Sequence, residues 1–249
     1  MIQLKGILNK MSTIKKGLTM WKNKNIFKYT PLDTGIDDIG PSKNYIPDWF
    51  KSIKAYNKSN MVFDKNNNAA KNLKSCIPFF DTLLSGYTIE LWCDIFFDEK
   101  DKSIKWAGNV PPFQQRKSET TNVPTPAGYD ETMHYMWRLP YAMKTPPGYS
   151  LLISHPFNRY ELPFLSSTGI VDAEKIMFGG QVPFFLKTGF SGLIEKGTPI
   201  LQILPFKREN WKAEKDLSMQ QEDNDERARS MNVFYGNYKN NKWFKKTYE

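Results

Sequence analysis

A mainly β fold is predicted: an antiparallel β-sandwich or jelly-roll-like barrel over residues 76–206, with helical N- and C-terminal flanks. Three observations carry this. Residues 87–97 alternate with period two, Ile89, Leu91, Cys93, Ile95 and Phe97 on one face and Thr88, Glu90, Trp92, Asp94 and Phe96 on the other. Nine of the 16 prolines lie between Pro111 and Pro163, a density that forbids long helices and favours short strands with fixed corners. The later apolar runs are short and bounded by Gly or Pro, as in sandwiches and barrels.

In chain order, residues 1–30 space Ile2, Leu4, Ile7, Leu8, Met11, Ile14, Leu18 and Trp21 mostly three and four apart, a basic amphipathic helix pattern. Such a face packs on its own domain, on a partner helix or on a membrane surface. Residues 31–75 read as an irregular lead-in, with a short helix near Pro47–Tyr56 and an exposed loop around Asn66. After the 87–97 strand, a charged turn at 98–102 and the run Ser103–Ala107 complete a hairpin. Further strands are expected at Met133–Leu139, Tyr149–Ser154, Leu165–Val171, Gln181–Lys187 and Pro199–Phe206. Residues 207–249 divide into a charged, solvated helix over 209–230 and an aromatic tail at Val233–Tyr248 that needs a covering surface, on its own domain or on a neighbour.

The net charge of +9 is local. Lys5, Lys10, Lys15, Lys16, Lys22, Lys24 and Lys28 face no acid in the first 30 residues, and the other 219 hold 28 basic against 26 acidic side chains. The basic arm suits an acidic protein surface or non-specific contact with nucleic-acid phosphates. With only six Arg against 29 Lys, there are few bidentate forks for reading bases, which excludes sequence-specific DNA recognition as the main task. No apolar run is long enough for a membrane span, and lysines interrupt the N-terminal apolar positions, so no secretory signal is expected. Cys76 and Cys93 give no disulfide framework and fit a reducing compartment.

Catalytic motifs are sparse. A metal-dependent oxygenase needs two His and a carboxylate around one open site, and Glu131, His134 and His155 are the weak candidates. No Gly-x-Ser-x-Gly elbow, Walker loop or paired-cysteine zinc motif is present. No cofactor is expected. The polar and aromatic residues best placed to line a ligand pocket at a rigid barrel end are Trp92, His134, Trp137, Arg138 and Asp172.

Two resemblances follow from ordered motifs. Gly169-Ile170-Val171-Asp172, then Gly179-Gly180-Gln181-Val182 and Gly197-Thr198-Pro199-Ile200-Leu201-Gln202-Ile203, resemble the motifs of dUTPases and dCTP deaminases; the resemblance implies that Asp172 activates water. The spacing after Asp172 is longer than in that pattern, and the phosphate-binding arginine has no counterpart beside Ser166-Ser167-Thr168. A broader resemblance rests on Pro47-Asp48-Trp49-Phe50, Cys76-Ile77-Pro78-Phe79-Phe80-Asp81, Thr145-Pro146-Pro147-Gly148-Tyr149-Ser150, Gly169-Ile170-Val171-Asp172, Gly197-Thr198-Pro199 and Pro205-Phe206-Lys207-Arg208. Over residues 41–211 the chain resembles an uncharacterised domain-of-unknown-function family of bacterial and tailed-phage proteins, the phage members chiefly marine. That likeness implies a phage lineage and a β-fold, but no activity.

The expected function is therefore non-enzymatic: binding or assembly as a virion or accessory structural component, in the host cytoplasm or the particle. Other phage or host proteins, including further copies of this chain, are the expected partners. A nucleotide-directed or metal-dependent β-barrel enzyme and a single-stranded nucleic-acid binder are the alternatives.

Overall fold

The computed structural model describes residues 25–54, 72–101, 103–231 and 237–249. Strands β1 (Lys28–Pro31) and β2 (Gly40–Pro41) lead into two helices, α1 (Asp48–Ser52) and α2 (Ile77–Leu84). β3 (Tyr87–Glu90), β4 (Ile95–Asp98), β5 (Ser103–Trp106) and β6 (Phe113–Lys117) follow. One helical turn, α3 (Ser118–Thr121), precedes β7 (Met133–Arg138) and β8 (Tyr141–Lys144). β9 (Tyr149–Ser154), β10 (Phe164–Ser166), β11 (Gly169–Val171), β12 (Gln181–Leu186), β13 (Gly192–Ile194) and β14 (Pro199–Lys207) complete the β-domain. Two helices end the chain, α4 (Met219–Met231) and α5 (Asn237–Asn241).

The fold is mainly β, and every strand pairing among the described residues is antiparallel. A five-stranded sheet (β11-β9-β14-β3-β2) and a four-stranded sheet (β10-β12-β7-β6) form the two layers, with smaller sheets β13-β4-β5 and β1-β8 beside them. The sheets stay open, so the sandwich half of the expectation holds and a closed barrel does not. A single core cluster joins the layers, with Ile89, Leu151, Ile153, Ile200, Leu201 and Ile203 from one sheet meeting Phe113, Tyr135, Trp137, Phe164, Val182 and Phe184 from the other. Trp137 and Phe184 stack with ring centroids 3.7 Å apart and planes 10° apart. Burying such rings is the main favourable term in holding the sheets together.

Several expected strands prove to be two. The alternation from Ile89 to Phe97 is real, since all five odd positions are buried. The hydrogen-bonded ladder nevertheless breaks at 91–94, sending β3 to the five-stranded sheet and β4 to a different one. The Leu165–Val171 run likewise divides into β10 and β11, in opposite layers. In 89–97 the side-chain period persists through the crossing because each half buries the same face in the shared core, whereas the inward face changes from Phe164 and Ser166 in β10 to Val171 in β11. β4 and β5 pair as the expected hairpin, with Asp98 opposite Ser103. The N-terminal helix pattern falls outside the described residues up to position 24, and Lys28–Pro31 is strand rather than helix, paired with β8. The charged helix is shorter than expected, starting at Met219 after a stretch without regular secondary structure.

β14 is the spine of the larger layer, with β9 on one side and β3 on the other. Its Gln202 is 4% exposed. The Gln202 carbonyl oxygen accepts from the Phe157 N–H at 2.8 Å, and its amide donates to the carbonyls of Thr82 at 2.9 Å and Ser85 at 2.5 Å. One side chain therefore ties the end of α2 and the 156–158 loop to the central strand. Gly86 then turns the chain into β3 at φ +72°, where an added Cβ would stand 2.0 Å from the Ile203 carbonyl oxygen. Only glycine fits both the backbone angle and the contact.

Two outcomes follow, both read by urea unfolding. Gln202→Leu strands a buried N–H and two carbonyls and lowers stability by about 2–4 kcal/mol. Gly86→Ala forces β3 away from β14 and lowers it by at least about 2 kcal/mol.

Candidate functional site

The loops at one end of the sandwich enclose a cleft of about 630 Å³. Its walls are the 32–36 turn after β1, Trp92 and Cys93 between β3 and β4, the 107–110 turn after β5, the Arg138–Pro140 corner, and Gly179–Gln181 entering β12. Backbone hydrogen bonds staple these walls together. Leu32 donates to the Pro140 carbonyl at 2.8 Å, Leu139 to Gly180 at 3.1 Å, Ala107 to Asp94 at 3.0 Å and Arg138 to Pro112 at 2.9 Å. The cleft is therefore shaped by the fold rather than by mobile side chains.

Of the five pocket residues expected from sequence, the structure brings two together here, Trp92 and Arg138. Trp92 is half-buried and packs against the core cluster. Trp137 is a correction: it is fully buried, stacked on Phe184, and its indole N–H donates to the Ser166 hydroxyl at 2.9 Å. Period two explains the difference, since locking Trp137 into the core places its neighbour Arg138 on the opposite side of β7. Sequence reasoning passed over Cys93, Gln181 and the 32–36 turn as lining. Gly179-Gly180 enters the sequence reading through the dUTPase-like motif, not as cleft lining. Burial, then the Asp94 carboxylate, push the Cys93 thiol pKa up, so it is protonated and a poor nucleophile.

His134 is also a correction as a pocket residue. It is 2% exposed, packs edge-on against Phe185, and both ring nitrogens are engaged, Nδ1 with the Thr121 hydroxyl and Nε2 with the Thr125 hydroxyl at 2.8 Å. It pins the α3 segment to β7. His155 accepts from the Ser166 N–H at Nδ1 (3.3 Å), and its Nε2 reaches the Arg159 carbonyl at 3.2 Å. Glu131 is exposed. Among the described residues, no group of three or more His, Cys, Asp or Glu side chains is placed to hold a metal ion, so the Glu131, His134 and His155 set does not assemble.

Asp172 lies outside the cleft, in a polar knot built from motifs distant in sequence. Its Oδ1 accepts from the Ser150 hydroxyl at 2.6 Å and from Arg208 at 3.3 Å. The other Arg208 nitrogen pairs with Glu174, whose carboxylate also accepts from the Gly148 N–H at 2.7 Å. Thr145 donates its hydroxyl to the Tyr149 carbonyl at 3.0 Å, and the Arg208 N–H reaches the Gly148 carbonyl at 2.8 Å. The Pro-Pro-Gly corner, the Gly-Ile-Val-Asp strand and the end of β14 thus meet at one point. The Ser150 hydroxyl first, and Arg208 with it, hold the Asp172 carboxyl below the ordinary range, which makes it a weak base.

The two chain ends behave differently. Lys5, Lys10, Lys15, Lys16, Lys22 and Lys24 lie outside the described residues, and Lys28 stands in β1 opposite Lys144. The C-terminal tail docks on its own domain. The Trp243 indole donates to both Asp81 oxygens at 3.0 Å, Lys246 pairs with Asp81 at 2.5 Å, and Tyr248 meets Tyr87 edge-on. Between the Arg208 knot and this clamp, every residue from 209 to 225 is exposed, and Trp211 is 88% exposed.

No protein-family model matches this chain, and no curated protein matches it. Among solved structures it is similar to a mutant dUTPase from phage phi11 of S. aureus, a structure described with a structural Mg(II) ion. The identity is 9% and the TM-score 0.35, covering 78% of this chain and 97% of that one. No helix among the described residues is long and apolar enough to cross a membrane.

Burial is the main cause holding the His155 pKa below its ordinary 6.5; the Arg159 carbonyl and Glu161 oppose it. The unfolded chain therefore takes up a proton at a higher pH than the folded one, so stability falls as pH drops through 6.5 towards the lowered folded value. Melting curves from about pH 7.5 to about pH 5.5 should show this slope in the wild type, with His155→Gln lacking the part due to His155.

Proposed function

We propose that this chain is a non-enzymatic assembly protein of a bacteriophage, a virion or accessory structural component that acts in the host cytoplasm or the particle. One observation carries the reading: the exposed stretch 209–225, held at its root by the Arg208 knot, with the Trp243–Asp81 clamp further along the chain. A segment tethered at its root has less entropy to lose on binding than a free one. It also displays Trp211, Leu217 and Met219, apolar side chains that a solitary domain would cover. Tryptophan is the side chain most often found as the anchor of an interface.

Charge supports the same reading. α4 opens with Glu222, Asp223, Asp225 and Glu226, while the first 30 residues carry seven lysines and no acid. An acidic helix face and a basic arm on one chain favour association between copies. Asp172 and the two histidines are engaged in holding strands and loops, so the sandwich serves as a rigid block for these arms.

Native mass spectrometry of the full-length protein should show a symmetric oligomer that weakens as salt rises. Trp211→Ala should raise its dissociation constant at least about tenfold with the melting temperature unchanged. A wild-type monomer at high micromolar concentration overturns the reading.

A further inference from the structure

Arg138 is the one cation lining the cleft, and among the described residues its guanidinium has neither a hydrogen-bond nor an ion-pair partner. The other arginines of the β-domain are engaged: Arg116 with Gln181, Arg159 with Glu161 and Arg208 with Asp172 and Glu174. An unpartnered guanidinium on a half-buried residue lining a preformed concavity is a ready-made fork for an anion. The partner is not supplied by Asp33, the only acid in the lining, whose carboxylate accepts from the Thr34 N–H at 2.7 Å.

The remaining surface describes the rest of the ligand. The lining adds half-buried Trp92 and the apolar Ile36, Val110 and Leu139, while Gly179 and Gly180 contribute no side chains to their wall. An added Cβ at Gly179 would already crowd Leu32 and the Tyr141 carbonyl at 3.3 Å, so that wall is kept bare by the packing behind it. An aromatic face, a smooth glycine wall and one fork-shaped cation favour a flat ring bearing a negative group. The volume of about 630 Å³ lies within the range of small-molecule sites.

We propose that this cleft binds a small planar aromatic anion, its carboxylate or phosphate on Arg138 and its ring against Trp92. We read the site as one of recognition, since its lining holds no imidazole and Asp33 as its one carboxylate. This inference is independent of the arm, since no cleft residue belongs to segment 209–231.

Calorimetric titration of the full-length protein with 1-naphthyl phosphate, 1-naphthoate and neutral 1-naphthamide tests it. One of the two anions is expected to bind saturably, and whichever binds more tightly tells phosphate from carboxylate. The amide should bind at least about tenfold more weakly. Arg138→Met should weaken the anion about tenfold or more and Trp92→Leu several-fold, with melting temperatures within about 2 °C of wild type for Arg138→Met. Trp92 packs on the core, so Trp92→Phe serves as the folded control if Trp92→Leu melts early. Absence of binding by either anion at millimolar concentration, or equal binding by Arg138→Met, overturns the proposal.

Discussion

The two layers of the sandwich are joined by a buried polar relay that crosses the apolar core. Trp137 on β7 donates to the Ser166 hydroxyl on β10, which in turn donates to the Ile200 carbonyl on β14 at 2.8 Å. Both bonds are buried, where an unpaired indole N–H or carbonyl would be expensive. Hydrophobic burial alone is non-directional and would allow the sheets to slide past each other. The relay sets their register because only one alignment satisfies all three groups.

The candidate site inherits its geometry from that alignment. With Trp137 stacked on Phe184 and tethered to Ser166, β7 cannot rotate, and Arg138 must leave the strand away from the core. The cleft walls come from segments far apart in sequence, yet the backbone bonds at Leu32, Ala107, Arg138 and Leu139 hold them as one rim. Gln202 does similar work at α2 and the 156–158 loop, and Arg208 at the Pro-Pro-Gly corner. Polar groups that read as catalytic in a linear sequence serve here as fasteners. Asp172 and His134 have the residue types of chemistry, but their partners are a serine, an arginine and two threonines.

Fastening also explains the contrast between the two arms of the C-terminal segment. The tail sets Trp243 against Asp81 and Tyr248 against Tyr87, while Phe244 stays exposed. Trp211 makes no such contact among the described residues.

By itself the sequence determined the local elements: the alternation around Ile95, the proline-spaced short strands, the hairpin at 98–102 and the charged helix after Phe206. These are legible because backbone angles and side-chain period are set by near neighbours. It marked Trp92, His134, Trp137, Arg138 and Asp172 alike as candidates to line a pocket. Tertiary structure alone decided that 87–97 and 165–171 each serve two sheets, that β6, β8 and β13 exist, and that Trp137 and His134 are core while Arg138 is not. Those outcomes rest on which strand lies across the core from which, a long-range choice that identical local patterns leave open.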